Sequence, residues 1–463
     1  MKRCAYRAIA PGYFISVLLL ASCSAAETGT KAAKQPASAS EITAFTNVNV
    51  VPMDTERVLR DQTVIVRDGR IAGITSAAQA QIPAGARIIP GNGLYLLPGL
   101  ADMHVHIWYE QDLLLYVANG VTFVRNMNGR PYHLQWREQL RRGEILGPHL
   151  LTAGPTVYSD PPDARALVRE QKAAGYDFIK VYHFISGAAH RAILAAAREA
   201  GMPVAGHKSR QIPLLGLMKT DQRSIEHLQG YVFYVESPDS PLRKVRQRGQ
   251  WSHRYHYFGV PFDAEQIAVM ARATRDAEFW NTPTIVSGDR WAPDSALRAV
   301  FDAPHARYLL PPLASRSGPG EDLVADWTPE VWRMGQRNRR ELVRGLHQAG
   351  AKLMLGTDAG SWRVEPGFSV HTELLNLAEA GLTPYEALRT ATANPAEFLA
   401  QSGEFGAVAT GRRADLLLVE ANPLEDLKNL QRRVGVMLAG RWFPQAHLQR
   451  LLESRVAPAH SQP

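Results

Sequence analysis

Side chains that can bind metal ions recur where predicted strands end. Six of them stand at or beside such ends: His104, His106, Lys180, His207, His227 and Asp358. Residues i and i+2 of a strand point to the same face, so the imidazoles of His104 and His106 can bind one ion. Each residue also has an ordinary structural use, such as a core histidine, a solvent-directed lysine or an N-cap aspartate. Because independent uses would not place all six at equivalent positions, the pattern predicts a metal site.

The elements that would position these residues alternate between strand and helix over residues 98–403. Residues 189–200 have a helical pattern ended by Gly201, and Thr383-Pro384-Tyr385-Glu386 is a helix-start signal. Eight alternating units favour a (β/α)8 TIM barrel over an open doubly wound sheet, with chemistry at the carboxyl ends of the strands. The predicted strands are 99–106, 122–126, 149–153, 178–182, 203–207, 224–227, 280–285 and 352–358.

Short strand patterns flank this region at both ends of the chain. Residues 42–97 contain strands separated by turns, and Asp68-Gly69 is typical of a hairpin. A matching fragment follows far downstream, over 414–419 and 434–443. We therefore predict an α/β fold in which 42–97 and 404–446 form a small β-sandwich domain and 98–403 form the barrel.

The first 41 residues predict export. Basic residues precede an apolar run over 13–21 that is short for a membrane span, and small residues precede Cys23. The run Leu20-Ala21-Ser22-Cys23 resembles a bacterial lipobox, which implies a signal peptide over 1–22, lipidation of Cys23 and a flexible tether over 23–41. We expect a bacterial lipoprotein of the cell envelope, held on the periplasmic side of a membrane. A soluble secreted protein is the alternative.

The amino-acid composition limits the classes of partner that the protein is expected to bind. The formal charge is +8, and residues 1–22 supply three positive and no negative charges, which leaves +5 for the rest. Lys and Arg are widely spread without a basic stripe, which argues against nucleic acid. The two cysteines are Cys4 and Cys23, so the mature chain has no disulfide. A small-molecule substrate and a membrane anchor remain as partners, and both a monomer and a homo-oligomer stay open.

Motifs along the whole folded region resemble those of the amidohydrolase superfamily. The branch they most resemble contains imidazolonepropionase-like proteins and Xaa-Pro dipeptidases, in which the lysine of the fourth barrel strand is carboxylated. The motifs are LPGLADMHVH at 97–106, FIKV at 178–181, AGH at 205–207, IEH at 225–227, LGTDAG at 355–360, TATANPA at 390–396 and GRRADL at 411–416.

The resemblance implies two divalent metal ions, with zinc favoured and Mn, Co or Ni compatible with the same ligands. The ligands would be His104, His106 and Asp358 for the more buried ion, His207 and His227 for the more exposed one, and a carboxylated Lys180 as the bridge. Hydroxide supplied by the cations would attack a carbonyl carbon. Asp358 would act as general base and then as general acid.

The predicted activity is hydrolysis of an amide or peptide C–N bond in a small substrate such as a dipeptide, an acyl amino acid or a cyclic amide. Hydrolysis of a lactone, ester or phosphotriester would use the same ligands. A mononuclear deaminase is less favoured, because such enzymes lack the lysine. A non-catalytic binding protein is the alternative of another class.

Four residues near strand ends or loop mouths are candidates for binding substrate: Tyr182, His183, Tyr231 and His371. His183 stands where the dipeptidase relatives usually have small and glycine residues, so proline dipeptidase specificity is not carried over. The basic run over 243–248 is a candidate lid, with a solvated face as its alternative.

Overall fold

The computed structural model describes residues 42–247, 258–291, 306–308, 328–361 and 363–456. The predicted signal peptide over 1–22, Cys23 and the tether over 23–41 lie outside these residues and stay predictions. No helix within the described ranges is both long and apolar enough to cross a membrane.

The strands of the described residues belong to three hydrogen-bonded sheets. They are β1 Ile42–Val50, β2 Leu59–Arg67, β3 Arg70–Ser76, β4 Arg87–Pro90, β5 Tyr95–Pro98, β6 Leu100–Val105, β7 Val121–Asn126, β8 His149–Thr152, β9 Ile179–Val181, β10 Val204–Gly206, β11 Gln222–Glu226, β12 Trp280–Thr282, β13 Leu416–Val419, β14 Arg433–Leu438 and β15 Arg441–Pro444.

The largest sheet takes strands from both ends of the chain. Its order is β15-β14-β13-β5-β1-β2-β3, and β4 also pairs with β1. Adjacent strands lie about 4.8 Å apart, so four steps across a flat sheet would separate β1 from β15 by roughly 19 Å. The rings of Phe45 on β1 and Trp442 on β15 are nevertheless 5.3 Å apart. The sheet therefore rolls over its own apolar face, and its core lies within one continuous sheet where the sequence predicted two separate layers.

Seven of the eight predicted parallel strands are present. β6, β7 and β8 form one parallel sheet, and β9 to β12 form another. A single parallel bridge between Ala153 and Phe178 joins β8 to the segment before β9. The parallel strands alternate in sequence with helices, as in α/β proteins. The fold is mixed α/β.

The predicted eighth strand, 352–358, is not a regular strand. Instead, Leu353 makes an isolated parallel bridge to Asn281 on β12, and Ala359, directly after the segment, makes one to Val105 on β6. The N–H of Leu355 donates to Thr390 O, outside the sheet, which interrupts the ladder. Asp358 then adopts a left-handed backbone with φ of 66° and ends the extended run.

The helices begin and end at the signals read from the sequence. Thr383 and Glu386 form the predicted capping box, and Gly201, with φ of 63°, ends its helix as predicted. The described helices are α1 Asp112–Ala118, α2 Pro131–Arg142, α3 Ala164–Ala174, α4 Gly187–Ala200, α5 Leu214–Leu217, α6 Val232–Val235, α7 Pro241–Gln247, α8 Ala264–Asp276, α9 Pro329–Gln348, α10 Ser369–Glu379, α11 Pro384–Thr390, α12 Ala393–Phe398 and α13 Gln445–Val456.

The described residues between 42 and 456 belong to one compact unit. Its main apolar core lies between the parallel strands and the helices, and a second core lies under the rolled sheet. The division of this unit into a small β domain and a barrel stays a prediction.

Candidate metal centre

The predicted ligands lie at the carboxyl ends of neighbouring parallel strands. His104 stands on β6 and Lys180 on β9, while His207 and His227 directly follow β10 and β11. The imidazole centroids of His104 and His227 are 4.5 Å apart, and those of His207 and His227 are 5.0 Å apart. Residues separated by up to 123 positions in the sequence are thus in contact.

Asp358 completes the cluster from the irregular segment that replaces the eighth strand. Its Oδ1 lies 3.1 Å from His106 Nε2 and 3.4 Å from His104 Nε2. Ligand atoms of His104, His227 and Asp358 all lie within 4.8 Å of one another. Ser361 Oγ donates to Asp358 Oδ1 at 2.9 Å and fixes the carboxylate from the other side.

A buried network holds His104 from behind. His104 Nδ1 lies 2.8 Å from Glu226 Oε2, and Glu226 also accepts from Arg125 at 3.0 Å and from Ser224 Oγ at 2.7 Å. Burial alone would raise the pKa of Glu226, but the Arg125 guanidinium and His104 hold it well below its usual value. An ionised carboxylate only accepts, so Nδ1 of His104 carries the hydrogen and Nε2 presents its lone pair to the centre.

A second carboxylate, Asp102, ties the two ends of the cluster together. It accepts from Thr357 N at 3.0 Å, from Thr357 Oγ1 at 2.6 Å and from His104 N at 3.3 Å. These bonds join β6 to the segment that carries Asp358. Burial raises the pKa of Asp102 to about 7. We call these five residues, Asp102, His104, Arg125, Glu226 and Asp358, the deep layer.

The other side of the centre is organised by ring stacking. The Tyr182 ring stacks on His207 at 4.3 Å, and the His183 ring lies parallel to His207 at 5.4 Å. Lys180 is 2% exposed, and burial lowers its pKa to about 8. We call Lys180, Tyr182, His183, His207 and the neighbouring Lys208 the outer layer.

Glycines allow the strands of the site to approach one another. A Cβ on Gly206, whose φ is 123°, would lie 2.6 Å from Lys180 Cδ and 2.5 Å from Val181 O. A Cβ on Gly360 would lie 1.7 Å from His106 O. Larger residues at these two positions would displace Lys180 or His106 from the centre.

The side chains fit a group of divalent cations. His104 is fully buried, yet its Nε2 has no hydrogen-bond partner among the described residues. A buried nitrogen without a partner is costly unless a ligand satisfies it. Imidazole and carboxylate donors suit zinc and related transition metals. A neutral or carboxylated Lys180 would be compatible with cations, and burial favours loss of its proton.

A cavity of about 450 Å³ opens onto this centre. Its wall includes five of the predicted ligands together with Tyr182 and His183, so these two substrate-binding candidates do lie at the cavity. The ligands in the wall are His106, Lys180, His207, His227 and Asp358, and His104 lies behind them with no exposed surface.

The other two substrate-binding candidates lie elsewhere, which corrects that expectation. Tyr231 is fully buried, and its hydroxyl bonds to Thr274 and to Asn281 Oδ1 within the core. His371 is buried on α10, where its Nε2 meets Asn119 O and the Arg433 guanidinium. The polar groups of Tyr231 and His371 form hydrogen bonds inside the protein, because α10 and the loop after β11 pack against the core. The basic run over 243–248, the candidate lid, extends to residue 248, which lies outside the described residues.

Three residues that position ligands were not identified from the sequence. Arg125 and Glu226 are charged residues inside apolar strands, and such residues are almost never fully buried unless paired, which was a readable signal. Thr284 had no such signal. Its hydroxyl lies 2.7 Å from His227 Nδ1 and can orient that imidazole.

Comparisons with known proteins agree with this geometry. The imidazolonepropionase of Streptomyces griseus is 25% identical over 373 residues, which cover 79% of this chain and 87% of that protein. A bottromycin amidohydrolase structure has a TM-score of 0.66 at 24% identity and covers 90% of this chain and 91% of its own. A Xaa-Pro dipeptidase with bound methionine has a TM-score of 0.65 at 19% identity, and the match covers 87% of this chain and 100% of that one. These two likenesses describe the fold alone.

The family model described as the amidohydrolase family matches residues 95–443. The match runs from the first residue of β5 into β15 and includes all six predicted ligands. The chain therefore belongs to the amidohydrolase family.

Proposed function

We propose that the protein hydrolyses an amide or peptide C–N bond of a small substrate at a centre of two divalent cations, with zinc favoured. The observation that carries the proposal is the His104 Nε2 atom, which is buried, has no hydrogen-bond partner among the described residues and is aimed by Glu226 toward Asp358 and His227. Family membership and the names of the relatives support C–N chemistry over other hydrolytic reactions.

The cations would be held by residues of both layers together with His106 and His227. His104, His106 and Asp358 would bind the inner ion, and His207 and His227 the outer one. A carboxylated Lys180 between them would supply two oxygens and a negative charge. Bound cations would polarise the substrate carbonyl and make hydroxide available near neutral pH.

The side chains of this protein would then manage the proton. Asp358 faces the cavity, and Ser361 holds its Oδ1. The Asp358 carboxylate would accept the proton of the attacking water and return it to the leaving nitrogen. The cavity walls would limit access of bulk water, which strengthens each electrostatic contact inside.

We also propose that the two parallel sheets and the segment 352–359 form a closed (β/α)8 barrel, with the rolled sheet as a small β domain beside it. The bridges at Ala153, Leu353 and Ala359 support closure at the three gaps between the assigned sheets. An experimental structure in which 352–359 pairs with neither β12 nor β6 would contradict this.

Metal analysis combined with a substrate panel tests the proposed function. We expect about two metal ions per chain and turnover of dipeptides, acyl amino acids or cyclic amides, lost on chelation and restored by zinc. Asp358→Asn should lower kcat/KM by about 10²- to 10⁴-fold, the usual contribution of a proton-transfer group. The control is Asp276→Asn, at the exposed end of α8, which should leave activity unchanged.

Two results would refute this proposal. Turnover of lactones or esters but of no amide would assign the site to other hydrolytic chemistry. An Asp358→Asn variant with wild-type activity would mean that this carboxylate moves no proton.

A further inference from the structure

Lys208 is a buried cation in the wall of the cavity. Lys208 is 7% exposed, and its Nζ donates to Ser209 O at 3.1 Å and to Ile212 O at 2.9 Å. An ammonium has three donors, and both of these acceptors are neutral carbonyls. Within the described residues, no carboxylate forms an ion pair with Lys208. A buried charge without a counter-charge is costly, so an anion entering the cavity would be favoured.

The charges around Lys208 point the same way. The cavity wall also contains Lys180, Arg210 and Arg339. Asp358, a predicted metal ligand, is the one carboxylate among the described wall residues. Asp358 would be engaged with the cations, so it would not compensate the charge of Lys208, and a negatively charged substrate would be favoured there.

An aromatic wall lies beside these cations. Tyr158 and Phe184 are 48% and 58% exposed, which is unusual for rings of this size. Tyr182 connects them, with ring centroids 4.9 Å from Tyr158 and 5.2 Å from Phe184. The same Tyr182 ring stacks on His207, and Tyr158 and Tyr182 line the cavity, with Phe184 packed beside Tyr182. A planar group could stack along this wall.

We propose that the substrate is an amide that carries both a carboxylate and an aromatic ring, with Lys208 binding the carboxylate and Tyr158, Tyr182 and Phe184 contacting the ring. This rests on the proposed function. Water would cleave the C–N bond, with its oxygen joining the carbonyl carbon and a proton going to nitrogen, to give a carboxylate and an amine.

Four probes separate the two recognition elements. They are N-benzoylphenylalanine, its carboxamide, N-acetylalanine and the carboxamide of N-acetylalanine. We expect kcat/KM to fall by about thirtyfold when the carboxylate is replaced, as for a hydrogen bond to a charged group. Loss of the rings should cost about a further tenfold.

Matched variants assign these preferences to residues. Lys208→Met should abolish the preference for carboxylate over carboxamide, while Lys208→Arg should keep most of it. Lys219→Met removes a charge from an exposed position outside the cavity wall and should change nothing. The double variant Tyr158→Ala/Phe184→Ala should lower kcat/KM for the benzoyl substrate alone. Metal content, measured for each variant, controls for damage at the adjacent His207.

Binding of the ketomethylene isostere of N-benzoylphenylalanine, which cannot be hydrolysed, separates this inference from the proposed function. If no probe is cleaved but the isostere binds and Lys208→Met weakens it, the substrate class stands and the hydrolytic proposal fails. If all four probes are cleaved equally, or Lys208→Met keeps the carboxylate preference, the substrate class is refuted. If the probes are not cleaved and the isostere does not bind, both proposals are refuted.

Discussion

The two layers of the centre are built in different ways. In the deep layer, Glu226 and Asp102 accept hydrogen bonds from six donor groups, and Glu226 lies against the buried guanidinium of Arg125. In the outer layer, His207 packs against the rings of Tyr182 and His183, and a hydrogen bond of 3.1 Å joins the Nδ1 atoms of His183 and His207. Hydrogen bonds fix direction, whereas stacked rings can slide.

This difference separates two tasks that the site has to perform. A predicted metal ligand such as His104 needs its lone pair oriented before an ion binds. Buried, ionised hydrogen-bond partners fix that orientation well. The outer layer faces the cavity and has to accommodate a substrate, for which adaptable contacts suffice. The deep layer should therefore be sensitive to changes of charge, and the outer layer to changes of shape and pH.

The largest expected effect comes from removing the charge of the deep layer. Glu226→Gln leaves the Arg125 guanidinium, 1% exposed, without its carboxylate. We expect the free energy of unfolding to fall by about 3 to 5 kcal/mol, as for a broken buried ion pair. Urea denaturation of the metal-free protein measures this loss.

A double variant distinguishes the two roles of Glu226. Arg125→Met/Glu226→Gln removes both charges and should recover a large part of the stability. It should still bind metal poorly, because the Gln amide can donate to His104 Nδ1 and move the imidazole hydrogen to Nε2. Recovery of metal binding along with stability would show that Glu226 has no role in orienting His104.

A smaller effect is expected at the border between the layers. Thr284→Val keeps the shape of the side chain but removes the hydroxyl that lies 2.7 Å from His227 Nδ1. We expect zinc affinity to fall about tenfold, which is the lower end of the range for loss of a residue that hydrogen-bonds to a metal ligand. Competition with a chromophoric chelator measures the affinity. Thr284→Ser retains the hydroxyl and should bind zinc as the wild type does; equal weakening in both variants would point to packing instead.

The smallest expected effect concerns pH and the outer layer. Burial, followed by the nearby Arg210, Lys208 and Lys180, lowers the pKa of His183 to about 4. The unfolded chain takes up this proton near pH 6.5. Stability is therefore fully present above pH 6.5 and is lost as the pH falls toward 4, by roughly 1 to 2 kcal/mol.

Denaturation of chelator-treated protein at pH 7, 5.5 and 4 measures this contribution. The difference between wild type and His183→Gln isolates it from the other buried histidines. The variant should lose less stability on acidification. An unchanged slope would mean that His183 is solvated well enough to titrate normally.

Sequence reasoning succeeded where the signal was local. Polar residues after apolar runs correctly indicated where β6, β9, β10 and β11 end, and the capping box at Thr383 is present. It failed for segment 352–358, where Leu355 bonds outside the sheet to Thr390. It also placed Tyr231 and His371 at the cavity, because proximity to a strand end does not tell which way a side chain turns.

The sequence by itself determined the family and the period of the strands, and it predicted the metal ligands, since these depend on residue type and spacing along the chain. Tertiary structure alone decided that Glu226 aims His104, that Thr284 supports His227 and that Lys208 is buried without a carboxylate partner among the described residues. These contacts join strands and loops distant in sequence, so their geometry exists only once the parallel strands are packed together.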